Sequence, residues 1–258
     1  MVLKCTSCPV RSTSFCNVVP NRDLKAFAKK RRSVRYEPRQ TIICEGEPAI
    51  SIFNVVSGVV KLTRSLPDGR THIIGFRLPG ELFATSENDT YTSSAEAITA
   101  VELCRFSRSF LTRGVRDYPR LQTRLLNLSY KQLAASEDQV LLLGQMTAQE
   151  KVARFLCVYG RKPFCNDKKQ LQCAQLPMNR IEIAGFLGLT VETVSRVLSS
   201  FRRNGIITVG RASHAIHVVD LDALERVAGI SHLGPKADNA LAEKNNRIIL
   251  RVPDNPLH

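Results

Sequence analysis

Asn179 to Ile207, NRIEIAGFLGLTVETVSRVLSSFRRNGII, is the stretch on which the reading of the fold turns. It reads as two short helices joined by a tight turn, with a third short element following. Asn179 is placed to cap the first helix, and Glu182 three residues on completes a capping box. Ile183, Phe186 and Leu187 give that helix an apolar face, and the small Ala184 lets a second helix approach. Gly188 ends it, because the turn needs a backbone angle that a side chain resists. Thr190 caps the second helix. There Val194, Val197, Leu198 and Phe201 recur at helical spacing and point inward, while Val191, Glu192, Ser195 and Arg196 point outward.

This is the pattern of a helix-turn-helix, and its outward face carries the chemistry of base reading. Arg196 can donate two bonds to O6 and N7 of a guanine. Glu192 can accept from a cytosine or adenine amino group, and Ser195 suits a small contact with thymine. Arg202, Arg203 and Arg211 lie close by and suit phosphates. The plain alternative is a helical hairpin with a solvated charged face; the agreement of several independent position rules weighs against it.

The remaining composition agrees with a polyanionic partner. The chain has 258 residues, room for two domains, and a formal net charge of +14; its pI is about 9.7. Nucleic acid is the first partner this suggests and an anionic membrane surface the second. No apolar run approaches the ~20 residues of a transmembrane helix. The opening MVLKCTSCPV lacks the apolar core of a secretory leader, so a cytosolic location is expected. There the eight cysteines are expected as thiols or metal ligands rather than disulfides.

Three of them, Cys5, Cys8 and Cys16, stand close together in CTSCPVRSTSFC. Such spacing suits a metal or an iron–sulfur cluster that lacks its fourth ligand, or else a tail with incidental thiols. Residues 21–40 read as a basic amphipathic stretch: Leu24, Phe27 and Ala28 form an apolar face, and Lys29, Lys30, Arg31 and Arg32 a solvated helix end. From about Gln40 to Phe106 the period becomes two, with Gly46, Gly58, Pro67-Asp68-Gly69 and Pro79-Gly80 as turns. Many short strands punctuated in this way imply an antiparallel sandwich or roll. Cys104, in the last strand, is either core or the missing ligand; Cys44 is read as packing.

Residues 108–144 read as helix throughout, capped by Ser107, with Pro119 at the start of its long part. Leu126, Leu133 and Val140 repeat every seven residues with Tyr130 between them, and Leu121, Leu125 and Leu128 form a second strip. One strip can pack on the roll and the other on a second copy, as in a coiled-coil dimer; a buried connecting helix is the alternative. Ser136, Glu137 and Asp138 interrupt the seam and are expected to weaken it. Thr147 to Glu150 is another capping box and opens the last domain. Cys157 reads as helix core and Cys165 and Cys173 as incidental. IITVG and HAIHVV are expected to form a two-stranded wing with Gly210 at its turn, closed by a helix over Leu221 to Val227.

The order of cysteine-rich arm, roll, long helix and winged helix-turn-helix, together with VETVSR at 191–196, resembles the CRP/FNR superfamily of bacterial transcription regulators. The FNR branch has the nearer pattern, and the long gap before Cys16 is similar to that of α-proteobacterial FNR-like regulators. The resemblance implies an α+β architecture: arm 1–20, a cyclic-nucleotide-binding-like antiparallel β-roll over 21–107, a dimerisation helix over 108–145, a DNA-binding winged helix-turn-helix over 146–229, and a tail, 230–258, of unassigned role. It implies a [4Fe-4S] cluster on Cys5, Cys8, Cys16 and Cys104, and a homodimer whose face includes Leu126, Tyr130, Leu133 and Val140. A TTGAT-like half-site, RNA polymerase as a partner and no catalysis also follow from it. Cyclic nucleotide is not expected, since GELFATSENDTYTSSAEA, after Pro79, offers no arginine for a phosphate. The competing expectations are a regulator of the same family gated by haem, nitric oxide or a small molecule, with zinc or no metal on the cysteines, and an iron–sulfur electron carrier.

Overall fold

The structure is a computed structural model that describes residues 5–86, 88–160, 173–209 and 215–230. Arg211, Gly210, Cys165 and all of the tail except Ile230 lie outside the described residues. Short 3-10 turns carry the arm through Cys5–Ser7, Phe15–Val18 and Asn21–Asp23 into helix α1, Leu24–Ala28. Eight strands follow: β1 Arg31–Tyr36, β2 Thr41–Ile43, β3 Ser51–Ser57, β4 Val60–Ser65, β5 Thr71–Arg77, β6 Leu82–Phe83, β7 Ser94–Ala97 and β8 Val101–Ser107. They form two antiparallel four-stranded sheets, ordered β1-β8-β3-β6 and β2-β7-β4-β5. Pro67-Asp68-Gly69 makes the β4–β5 hairpin, with Gly69 at φ +84°.

One expectation fails at the start of the roll. Arg31 and Arg32 are not a helix end; they open β1, which pairs with β8 in the register Arg31↔Phe106 and Ser33↔Cys104. Alternation decides the matter: Val34 and Tyr36 pack toward the roll interior with Phe53, Val55, Phe83 and Leu103. The other face of this sheet is covered as well, by the arm, α1 and a helix, so β3 is buried at every position but its last.

Residues 108–144 are also not one helix. Helix α2, Arg108–Asp117, and helix α3, Pro119–Gln145, meet at Tyr118, whose φ and ψ of −131° and 86° are not helical. Pro119 explains the break: its ring disfavours the helical conformation in the residue before it. Ser107 precedes α2 but makes no side-chain cap. Leu121 is fully buried against Phe15, Phe27 and Phe106, with Leu125 and Leu128 beside it. Leu126, Tyr130, Leu133 and Val140 are left exposed on the other side. Among the described residues no helix is long and apolar enough to cross a membrane.

Helix α4, Ala148–Tyr159, begins on the Thr147–Glu150 capping box. Helices α5, Arg180–Leu187, and α6, Val191–Arg203, then form the helix-turn-helix, followed by strands and helix α7, Leu221–Val227. The wing has three strands rather than two: β10, Ile207–Val209, pairs with β11, Ala215–Val218, which also pairs with β9, Cys173–Gln175. Cys157 is buried as expected, whereas Cys44, just past β2, is exposed and not core packing.

The winged domain and the roll share one core. Phe76 of β5 packs against Phe155, Tyr159 and Phe186, with ring centroids 5.2 to 6.2 Å apart. A Cβ at Gly185 would lie 3.3 Å from Ile73 of the roll, so this position holds the two surfaces close. Lys61 of β4 sits 3.0 Å from Glu96 and 3.8 Å from Glu182, the capping residue of α5. Asp138 of α3 pairs with Arg154 of α4 at 3.1 Å. Its neighbour Gln139 donates to the Phe186 carbonyl at 3.1 Å.

Candidate nucleic-acid interface and thiol pocket

The helix-turn-helix is built as its sequence dictates. The Asn179 side chain accepts from the Glu182 amide at 3.0 Å, and Glu182 accepts from the Asn179 amide at 2.8 Å. Gly188 takes φ +62° and ψ 37°, the left-handed turn that spares a Cβ. Thr190 accepts from the Thr193 amide at 3.2 Å and starts α6. Val194, Val197, Leu198 and Phe201 are all buried, which fixes the rotation of α6 about its axis.

That rotation exposes Glu192 and Arg196, leaves Ser195 half-buried beside them, and exposes Arg202 and Arg203 at the C-terminal end. Val191 is half-buried and shares its side chain with the core, so it is the least available of the four expected base contacts. Glu192 is held below the usual carboxylate range, first by its own backbone N–H, then by the Thr190 hydroxyl, with Arg196 also nearby. It is therefore an acceptor at neutral pH. Sequence reasoning missed Arg180, the first residue of α5: its guanidinium reaches Ser195 Oγ at 3.4 Å and adds a cation to the same face. The signal was available, since an arginine after an N-cap stands at the exposed mouth of the motif.

The second site lies on the outer face of the β1-β8-β3-β6 sheet, beneath the arm. Cys5, Cys8 and Cys16 of the arm and Cys104 of β8 line one cavity of about 20 Å³, together with Arg11, Arg31, Ser14 and Asn54. The three neighbouring thiols of the arm are thus brought to the distant Cys104. Among the described residues, however, no three Cys, His, Asp or Glu side chains stand in a geometry ready to hold a metal ion. Arg31 stands among the thiols instead: its Nε donates to Cys5 Sγ at 3.1 Å and its Nη1 to Cys104 Sγ at 3.6 Å. Burial pushes the Cys16 thiol up to about 12, with Cys8, Cys104 and Cys5 adding to it. Burial also pushes Cys104 up to about 11, against the pull of Arg31. Arg31 was hidden from sequence reasoning by the lysines before it; only the β1 register turns it toward the thiols.

The pocket's polar wall is partly unpaired. Asn54, opposite Cys104 in the ladder, donates to Ser14 Oγ and to the Val55 carbonyl, each at 3.1 Å, while its buried Oδ1 finds no partner among the described residues.

Comparison with known proteins agrees with this geometry. Residues 150–227 match the family model of the Crp-like helix-turn-helix domain, and residues 33–118 that of the cyclic nucleotide-binding domain. The nitrogen fixation regulation protein FixK of Bradyrhizobium diazoefficiens is 34% identical over 238 residues, 92% of this chain and 93% of its own. The transcriptional activator protein FnrL of Cereibacter sphaeroides is 31% identical over 229 residues, 88% of this chain and 92% of its own. The solved structure of FixK2 from Bradyrhizobium japonicum superposes with a TM-score of 0.70 at 32% identity, over 76% of this chain and 96% of that one. With a recognition helix displayed on a winged domain, a roll in front of it and full-length relatives that regulate transcription, the chain belongs to the FNR branch of the CRP/FNR superfamily, a DNA-binding transcription regulator and not an enzyme.

Proposed function

We propose that this regulator binds a TTGAT-like palindrome as a homodimer and that the four-thiol pocket gates that binding by holding an oxygen-labile [4Fe-4S] cluster. The observation that carries the reading is the convergence of Cys5, Cys8, Cys16 and Cys104 on one cavity, whose wall residue Phe15 shares an apolar cluster with Leu121 of α3. The donor set fits such a cluster in kind and in number. Room for it requires the thiols to part and Arg31 to withdraw from between Cys5 and Cys104. Bound, the group supplies inorganic chemistry that oxygen degrades. The chain supplies the rest: the apolar wall of Phe15, Leu24, Phe27 and Phe106 excludes water.

The exposed strip of Leu126, Tyr130, Leu133 and Val140 supports the homodimer, because four large side chains at heptad-like spacing lack cover among the described residues. Two recognition helices would then face half-sites about one DNA turn apart. In this arrangement Arg196 reads the guanine with Glu192 and Ser195 beside it, and Arg180, Arg202 and Arg203 hold phosphates. The bound dimer would engage RNA polymerase. The roll is read as a frame without nucleotide: Phe53 stacks on Phe83 at 5.2 Å and fills its interior.

A second reading is favoured by the thiols themselves, which stand around Arg31 rather than in a metal cage. On that reading the cysteines carry zinc or no metal, and haem, nitric oxide or a small molecule is the effector. Iron and acid-labile sulfide analysis of anaerobically purified protein separates the two. Titration of a TTGAT palindrome before and after air exposure, at fixed salt, then tests the gating. Equal affinity in both states, or absence of sulfide, rules out the cluster mechanism.

A further inference from the structure

The arm does more than carry thiols: it is wedged between the roll and the long helix. Between Cys8 and Cys16 the chain turns back on itself, with the Thr13 and Ser14 amides both donating to the Val10 carbonyl. Thr13 rests against the β5–β6 turn at Gly80, where no Cβ fits; one placed there would collide with the Thr13 side chain. From the opposite side Arg124 of α3 donates from Nη2 to the Thr13 carbonyl at 2.7 Å. Among the described residues the Nε of Arg124 is buried and finds no partner. A charged donor that is covered but incompletely bonded costs free energy, so the cover on Arg124 must be held by other contacts, the Nη2 bond to Thr13 among them. Arg124 also lies on the helix between Leu121, which is packed on the arm's Phe15, and Leu126, which is exposed.

From this placement we infer that Arg124 is the positioning residue through which docking of the cysteine arm acts on α3 and its exposed strip. With the arm in place, the Thr13 carbonyl fixes Arg124 and the inner face of α3 is held to the roll. When the arm leaves, Arg124 loses its acceptor, Leu121 and Leu125 lose cover, and α3 is released to shift. The inference rests on the homodimer reading for its output. It is independent of what, if anything, the thiols bind.

The test uses the full chain, purified anaerobically and kept with whatever its thiols carry, in four forms: wild type, Arg124→Gln, Arg124→Lys and, as a control, Arg120→Gln on the exposed side of the same helix. Hydrogen exchange of peptides covering residues 9–19 reads the arm, and sedimentation velocity over a concentration series reads the dimer. Arg124→Gln should exchange at least five-fold faster in the arm and need several-fold more protein to dimerise. Arg124→Lys, which keeps a charged donor for the Thr13 carbonyl, should recover part of both, and Arg120→Gln should match wild type. Unchanged arm exchange in Arg124→Gln overturns the inference. So does faster exchange with an unmoved dimer, which would make the contact a local brace. Wild type that stays monomeric throughout refutes the homodimer reading and the coupling together; a dimeric wild type with an indifferent Arg124→Gln refutes the coupling alone.

Discussion

Gly80→Ala should detach the arm, and the structure sets the size of the effect. Gly80 sits at φ +93°, and its amide donates to the Val55 carbonyl at 2.8 Å, so the turn cannot rotate away without breaking a buried bond. Placing an L side chain in left-handed backbone costs about 1–2 kcal/mol. The new methyl also overlaps the Thr13 side chain, and overpacking of this kind adds about 1–3 kcal/mol. The sum is about 2–5 kcal/mol, and only the second part involves the arm. Urea denaturation of Gly80→Ala, Thr13→Gly and the double variant separates the two parts as a coupling energy. Relief of the collision should appear as about 1–3 kcal/mol of non-additivity, while the backbone cost persists in both backgrounds. Strictly additive costs would mean that Thr13 does not rest on this turn, and the arm would then be placed wrongly.

Arg196→Ala should lose about 1–3 kcal/mol on the specific duplex and relax the choice of base at one position. Arg202→Ala should weaken specific and random duplexes alike and reduce the salt slope by about 1; fluorescence anisotropy at several salt concentrations distinguishes them. Phe186→Ala, which removes a ring packed on Phe76, Phe155 and Tyr159, should cost about 3–5 kcal/mol in chemical denaturation. Tyr159 is pushed up to about 12, first by burial and then by Glu81. The unfolded chain ionises this phenol near its usual value of 10.0 while the folded chain keeps the proton. Its stabilising contribution is therefore present below pH 10 and lost toward pH 12, at about 1.4 kcal/mol per pH unit. The difference in stability between wild type and Tyr159→Phe should shrink or reverse over that window, and a constant difference would contradict it.

The parts of this fold that were legible in the sequence are those governed by neighbours in the chain. Both capping boxes, the left-handed Gly188 and the inward set on α6 follow from spacing alone. The break at Tyr118 was equally local, because Pro119 restricts its predecessor, yet a continuous apolar pattern concealed it. Elsewhere long-range pairing decided. Arg31 and Arg32 follow two lysines and look like a solvated helix end until β8 pairs with them. The three residues of β9 gain strand identity only from β11. Cys44 borders a strand but meets no core, so its apolar neighbours misled. The thiol pocket was half legible: its four cysteines could be named from the resemblance, but the guanidinium among them depends on a register that no local rule fixes.

The apolar cluster running from Phe76 through Phe155 and Phe186 has a practical consequence. A fragment beginning at Thr147 would carry Phe155, Tyr159 and Phe186 stripped of their cover on β5. That bare aromatic patch would favour self-association, so the reading head is unsuited to expression alone unless those positions are recast. Heating the intact chain should likewise give one cooperative melt instead of two, since neither half can loosen without baring the other.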